Sequence, residues 1–236
     1  MNHRPFEACD YIEIDGKKFL YLNDDSPTNA YNNCDTSFVA QPLLDYNGNK
    51  EHKVISVPLM MTDEWNIIKQ QGDDLLNKLR STEKTYDYNF IGQCHYVGRE
   101  VFRQLTLDNY YFLENPRGIY GLNREEKDKE LVDFLFKIAN SKFIFCPRGV
   151  GSSSFRLYQS FMVGSVPIVT GMKDYPFSYE VDWDDMCIRG DLDDINSLIE
   201  KSKTVDYEKL RENGMKFWDE YCRHDKLYEK LKKVVE

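Results

Sequence analysis

The stretch from Ser141 to Trp183, SKFIFCPRGVGSSSFRLYQSFMVGSVPIVTGMKDYPFSYEVDW, constrains this chain more than any other. FIFC, ending at Cys146, is a short apolar run closed by proline and glycine, and reads as a buried strand. Pro147-Arg148-Gly149-Val150-Gly151 is a glycine-rich turn with a fixed cation in it. Ser152, Ser153 and Ser154 then offer hydroxyls and backbone N–H groups at the start of a helix spanning Ser154–Val163, and a second strand runs from Val166 to Thr170. Strand, glycine turn, helix and strand in that order make a parallel βαβ unit. The helix start is also an anion site: free N–H groups point outward, glycines admit a ligand to the backbone, and Arg148 can fork onto a phosphate. Arg156 adds a second cation one turn inside the helix. A plain connection, with serine as N-cap and glycine as turn residue, would use the same residue types. The two arginines and the following VGSVPIVTG favour the anion site.

The pattern from residue 86 onward continues in this style. Tyr88–Gly92 reads as a buried strand, Val97–Leu107 as a helix, Tyr110–Leu113 as a short strand and Arg124–Asn140 as a helix whose Leu131, Phe134, Leu135 and Ile138 share a face. Helices are expected over Asp191–Lys203, Asp206–Tyr221 and Lys226–Val234. Before residue 85 the texture differs: strand-like runs at Lys18–Asn23 and Val54–Pro58, a polar turn-rich stretch between them, and one helix from Asp63 to Arg80. Alternating strands and helices predict an α/β chain of two Rossmann-like domains facing a cleft, the N-terminal one small. The expected boundaries are 1–85, 86–205 and 206–236.

With 41% hydrophobic and 14% aromatic residues among 236, the chain can build a core. A net charge of −9 lacks the basic footprint of a nucleic-acid partner. The six cysteines are irregularly spaced and include no CxxC pair, which argues against structural zinc. No run approaches the roughly 18 apolar residues of a membrane span. The N-terminus has no signal-like apolar segment, so a soluble, cytoplasmic protein of microbial or viral type is expected.

Cys146-Pro147-Arg148-Gly149, Gly151, Ser154, Arg156-Leu157, Gly164, Val166-Pro167, Pro176-Phe177 and Trp183, in that order, resemble the signature of the exostosin family of GT47-type glycosyltransferases. Phe90-Ile91-Gly92 with Arg99 and Arg103 is similar to that family's strand and the arginine-bearing helix after it. The likeness covers roughly residues 86–200. It implies a GT-B fold, with the nucleotide sugar on the C-terminal domain and the helices of residues 206–236 packing back on the N-terminal one. It also implies transfer to a glycan hydroxyl with inversion, without an essential metal or other cofactor. The donor is expected to be a UDP-sugar carrying xylose, galactose, glucuronic acid or N-acetylglucosamine. A non-catalytic nucleotide-sugar or glycan-binding module is the alternative, as is a fucosyltransferase-like enzyme using a GDP-sugar.

On this reading the donor diphosphate falls to Arg148, Arg156, Arg99, Arg103 and the backbone of Gly149, Gly151, Ser152, Ser153 and Ser154. Gln159 stands where many relatives carry a glutamate that grips the ribose, and Asp174 follows the strand VPIVT where it could touch the sugar. The general base an inverting transfer needs is expected from Asp24 or Asp25, after the strand KFLYLN, although Asp-Asp-Ser-Pro is also good turn chemistry. Asp10, Asp35, Asp63 and His95 are further options, a lone histidine being more often structural. Asp184-Asp185 and Asp193-Asp194 read as loop and cap acids rather than metal ligands.

Overall fold

The computed structural model describes residues 9–22, 36–39, 53–59, 61–95, 98–114, 123–149 and 153–235. The chain opens with a hairpin, β1 (Cys9–Ile14) antiparallel to β2 (Lys17–Leu22). Its turn is Asp15-Gly16, at φ 49° and 76°, the left-handed pair that two-residue hairpins require. β3 (Thr36–Val39) and β4 (Lys53–Ser56) then add in parallel, giving a four-stranded mixed sheet in the order β1-β2-β3-β4.

Two helices follow where the sequence suggests one. α1 (Thr62–Gln71) and α2 (Asp73–Arg80) are separated by Gly72 at φ 75°. A left-handed residue cannot propagate the helical ladder, and glycine adopts it without a Cβ clash. The remainder is a Rossmann-like α/β domain. Its strands are β5 (Tyr86–Gly92), β6 (Tyr110–Glu114), β7 (Ser141–Pro147), β8 (Val166–Thr170) and β9 (Ile188–Gly190), all parallel, in the order β6-β5-β7-β8-β9. The crossovers contain α3 (Val101–Gln104), α4 (Arg124–Ala139), α5 (Phe155–Val163) and, after β9, α6 (Ile195–Ser202). α3 is far shorter than Val97–Leu107. The helix expected from Asp191 begins as a 3-10 turn at Leu192–Asp194. α7 (Tyr207–Phe217) widens into a π-helical segment, Trp218–Cys222, before α8 (His224–Val235).

The strand faces alternate. Ile144, Cys146 and Val169 pack with Leu131 and Leu135 of α4 and with Leu157 and Phe161 of α5, while Phe143, Phe145 and Ile168 pack with Phe102, Ile195 and Leu198. The first of these cores runs on through Ile67, Leu75 and Leu79 of α1 and α2. From there it passes through Phe217, Trp218, Leu227 and Leu231 to Ile14, Ile55, Val57 and Leu59. The last helices thus join the five-stranded domain to the first sheet, and Lys232 of α8 pairs with Asp15 of the hairpin at 3.2 Å. Only one of the two sheets is a parallel, Rossmann-like one among the described residues.

Candidate functional site

Strand order reverses between β5 and β7. β5 has the next strand, β6, on one side and β7 on the other. Such a switch point leaves a crevice at the carboxyl ends of its two central strands, where open α/β sheets bind ligands. β5 and β7 pair from Tyr86 opposite Ser141 to Asn89 opposite Ile144. The crevice therefore lies between Gly92 and Pro147, which brings the proline-arginine-glycine turn to the switch point.

Two arginines occupy that gap. Arg156, on the first turn of α5, donates from Nη1 to the Phe145 carbonyl at 3.4 Å, and its guanidinium lies 5.3 Å from the centroid of the Phe90 ring. A Cβ on Gly92 would come within 2.8 Å of Nη2. Burial lowers the Arg156 pKa to about 10, and the neighbouring charge of Arg99 acts in the same direction. Among the described residues Arg156 has no carboxylate ion pair, and its buried Nε has no hydrogen-bond partner. Arg99, itself buried, donates to the carbonyls of Gln93 and Pro147 at 3.3 Å each, and also to that of Arg148. It fastens the end of β5 to the end of β7.

Arg148 is exposed, its stem against Gly171 and its backbone N–H donating to Thr170 at 2.9 Å. The Gly149 N–H donates to the Ser153 carbonyl at 3.2 Å. Ser154 occupies the N-cap of α5 in an extended conformation, but its hydroxyl makes no capping bond, so the side chain does not consume the first N–H groups of α5. Ser153 is buried, with its hydroxyl 3.4 Å from that of Tyr158. Thr170, also buried, ends β8 beside Pro147, and its Oγ1 has no partner among the described residues.

Other expected residues lie elsewhere. Arg103 forms a two-pronged ion pair with Glu114 at the end of β6, 2.8 and 2.5 Å, and both groups are solvated. Gln159 is buried and donates to Glu64 of α1 at 2.6 Å. Burial pushes the Glu64 carboxyl up, against the opposing hydrogen bond from Gln159. Asp174 is half-buried after β8, and His95 is exposed after β5. Asp63 pairs with Lys127 at 2.5 Å, Asp184 with Arg189 at 2.8 Å and Asp185 with Lys209 at 2.7 Å. Asp193 and Asp194 lie in the turn before α6. Asp24, Asp25, Asp35, Gly151 and Ser152 lie outside the described residues, and Asp10 sits on β1. The later motif residues shape the loop after β8: Trp183 is buried and donates from Nε1 to the Pro176 carbonyl at 2.9 Å.

Sequence reasoning missed Glu64, because an acid in the first turn of a helix usually looks like a solvated partner of the helix dipole. It also missed that Arg99 serves backbone carbonyls, which no side-chain motif announces.

No protein-family model and no curated protein matches the sequence. Solved structures similar in shape include that of a GtfA/B complex, with a TM-score of 0.47 and 9% identity. Another is the pneumococcal O-GlcNAc transferase GtfA in complex with UDP and GlcNAc, with a TM-score of 0.44 and 12% identity. Each comparison covers 88% of this chain and 46% of the other, so the chain spans under half the length of those structures. No helix among the described residues is long and apolar enough to cross a membrane.

Proposed function

We propose that the crevice between β5 and β7 holds the diphosphate of a nucleotide sugar, and that the chain transfers the sugar to a glycan hydroxyl. The observation that carries this reading is Arg156, a cation wedged at the switch point with no carboxylate partner among the described residues, beside Arg99, the exposed Arg148 and the start of α5, where Ser154 makes no capping bond. Like charges so close favour an anion among them. The resemblance of the CPRG segment to the exostosin signature supports the same donor, a UDP-sugar.

In the proposed reaction a carboxylate, for which Asp24 and Asp25 are the candidates, takes the acceptor proton. The acceptor oxygen bonds to the anomeric carbon from the face opposite the phosphate. The bond to the phosphate oxygen breaks, and its electron pair leaves on the nucleoside diphosphate. Arg148 and Arg156 stabilise that developing charge, a role that in other inverting enzymes a metal can take. Because attack comes from the opposite face, an α-linked donor gives a β-linked product.

The test is NMR of the product formed from α-linked UDP-sugars and a panel of oligosaccharide acceptors. A β-linked product supports the proposal; an α-linked one contradicts inversion. A second reading, a nucleotide-sugar-binding module without turnover, is favoured by Gln159, whose amide is engaged by Glu64. It predicts donor binding with no product for any acceptor.

A further inference from the structure

Phe155 is the single exposed phenylalanine among those whose side chains are described, with 43% of its surface open. It is also the first residue of α5, whose residues 157–163 are all buried. No other ring contacts it among the described residues. Leaving such a ring in water forfeits a large apolar burial.

Its surroundings restrict what can cover it. Residues three and four apart share a helix face, so Phe155 lies in line with Tyr158 and Gln159. That face meets the segment after β4: Tyr158 hydrogen-bonds to the Leu59 backbone, and Gln159 donates to Glu64 at 2.6 Å. Phe155 is therefore on the face of α5 turned toward α1 and the first sheet, between the N-cap Ser154 and Arg156. Among the described residues the buried Oγ1 of Thr170, at the end of β8, and the buried Nε of Arg156 have no hydrogen-bond partner. An occupant that satisfies both parts is flat and apolar at one end and anionic at the other.

We infer that Phe155 is the stacking platform for the base of a nucleoside diphosphate whose phosphates lie at Arg148, Arg156 and the start of α5. The inference rests on the donor-site reading above and adds a base-binding residue to it. Because a ring face is shared by all bases, Phe155 supplies affinity for a nucleoside without choosing between uracil and guanine.

The experiment is calorimetric titration of wild type, Phe155→Ala and Phe155→Trp with UDP, GDP and inorganic pyrophosphate. Phe155→Ala is expected to weaken UDP and GDP roughly tenfold or more, as loss of one stacked base does, and to leave pyrophosphate unchanged. Phe155→Trp is expected to keep nucleotide affinity, with tryptophan fluorescence quenched by UDP but not by pyrophosphate. Equal UDP binding by wild type and Phe155→Ala overturns the inference and leaves the donor site standing. The inference is likewise overturned if Phe155→Ala weakens a UDP-sugar but not UDP, since the ring then faces the sugar. If wild type binds neither nucleotide nor pyrophosphate, the donor site itself fails, and the inference with it. Because Phe155 is exposed, Phe155→Ala is expected to melt within a degree or two of wild type, on the small effects typical of surface positions.

Discussion

Arg156 and Gly92 are fitted to each other: Nη2 of the arginine lies 2.8 Å from where a Cβ on residue 92 would stand. The glycine at the end of β5 leaves room for a guanidinium between two strands that have stopped pairing.

Gly92→Ala is therefore expected to push the Arg156 head out of its place. The stability cost falls at the low end of the about 1–3 kcal/mol that an added methyl costs in a packed site, because a side-chain tip can move. Nucleotide affinity is expected to fall much further. Denaturant unfolding and UDP titration of wild type and Gly92→Ala check this.

The Glu64–Gln159 pair gives a pH prediction. Burial raises the Glu64 pKa above the ordinary 4.5. Between 4.5 and the raised value, the folded state holds a proton that the unfolded chain has released. Stability from this group is fully present below pH 4.5 and declines as pH rises through the folded value. Glu64→Gln keeps a hydrogen bond to Gln159 and removes the titration. Its melting temperature is expected to exceed that of wild type at pH 7–8, the gap closing near pH 4.

Gln159→Glu places a second carboxyl against Glu64. It is expected to destabilise the protein at neutral pH and less so in acid, where the two share a proton. Combining it with Glu64→Gln restores one acid and one amide, and recovery of most of the lost stability is the expected outcome. Melting temperatures of the two single variants and the double variant measure the coupling.

Lys84 donates to the Ala139 carbonyl at 2.6 Å and to the Ser165 hydroxyl at 3.1 Å. Burial, with the charge of Arg211, lowers its pKa from 10.5 to about 7. From pH 7 to 10.5 the unfolded chain holds the proton that the folded state has lost, so stability rises with pH across that window. The difference in slope between wild type and Lys84→Met, followed by denaturant unfolding from pH 7 to 10, isolates this group.

Most of the five-stranded domain was legible in the sequence because its strands FIFC and VPIVT are apolar runs closed by glycine or proline. Tertiary geometry carried the rest. A single glycine, Gly72, divides a helix whose apolar spacing continues across it. β9 is three residues long, too short for any periodicity. The β1–β2 hairpin carried a readable signal, Asp15-Gly16 between alternating runs, which apolar runs alone do not reveal. Within the site, the glycine turn and its cations were legible from residue type and order. The diversion of Arg103 to Glu114 was not, because it depends on β6 lying beside β5.

The most direct test of the central claim is a thermal-shift titration of the whole chain with UDP, GDP and their sugar conjugates, with and without EDTA, in wild type and Arg148→Ala. At about one hundred times Kd, a ligand that binds only the folded state adds about 2.7 kcal/mol, or roughly 5–10 °C for a chain of this size. The account predicts that rise with one nucleotide class, unaffected by EDTA and largely lost in Arg148→Ala. No rise with any nucleotide, or an equal rise in Arg148→Ala, would contradict it.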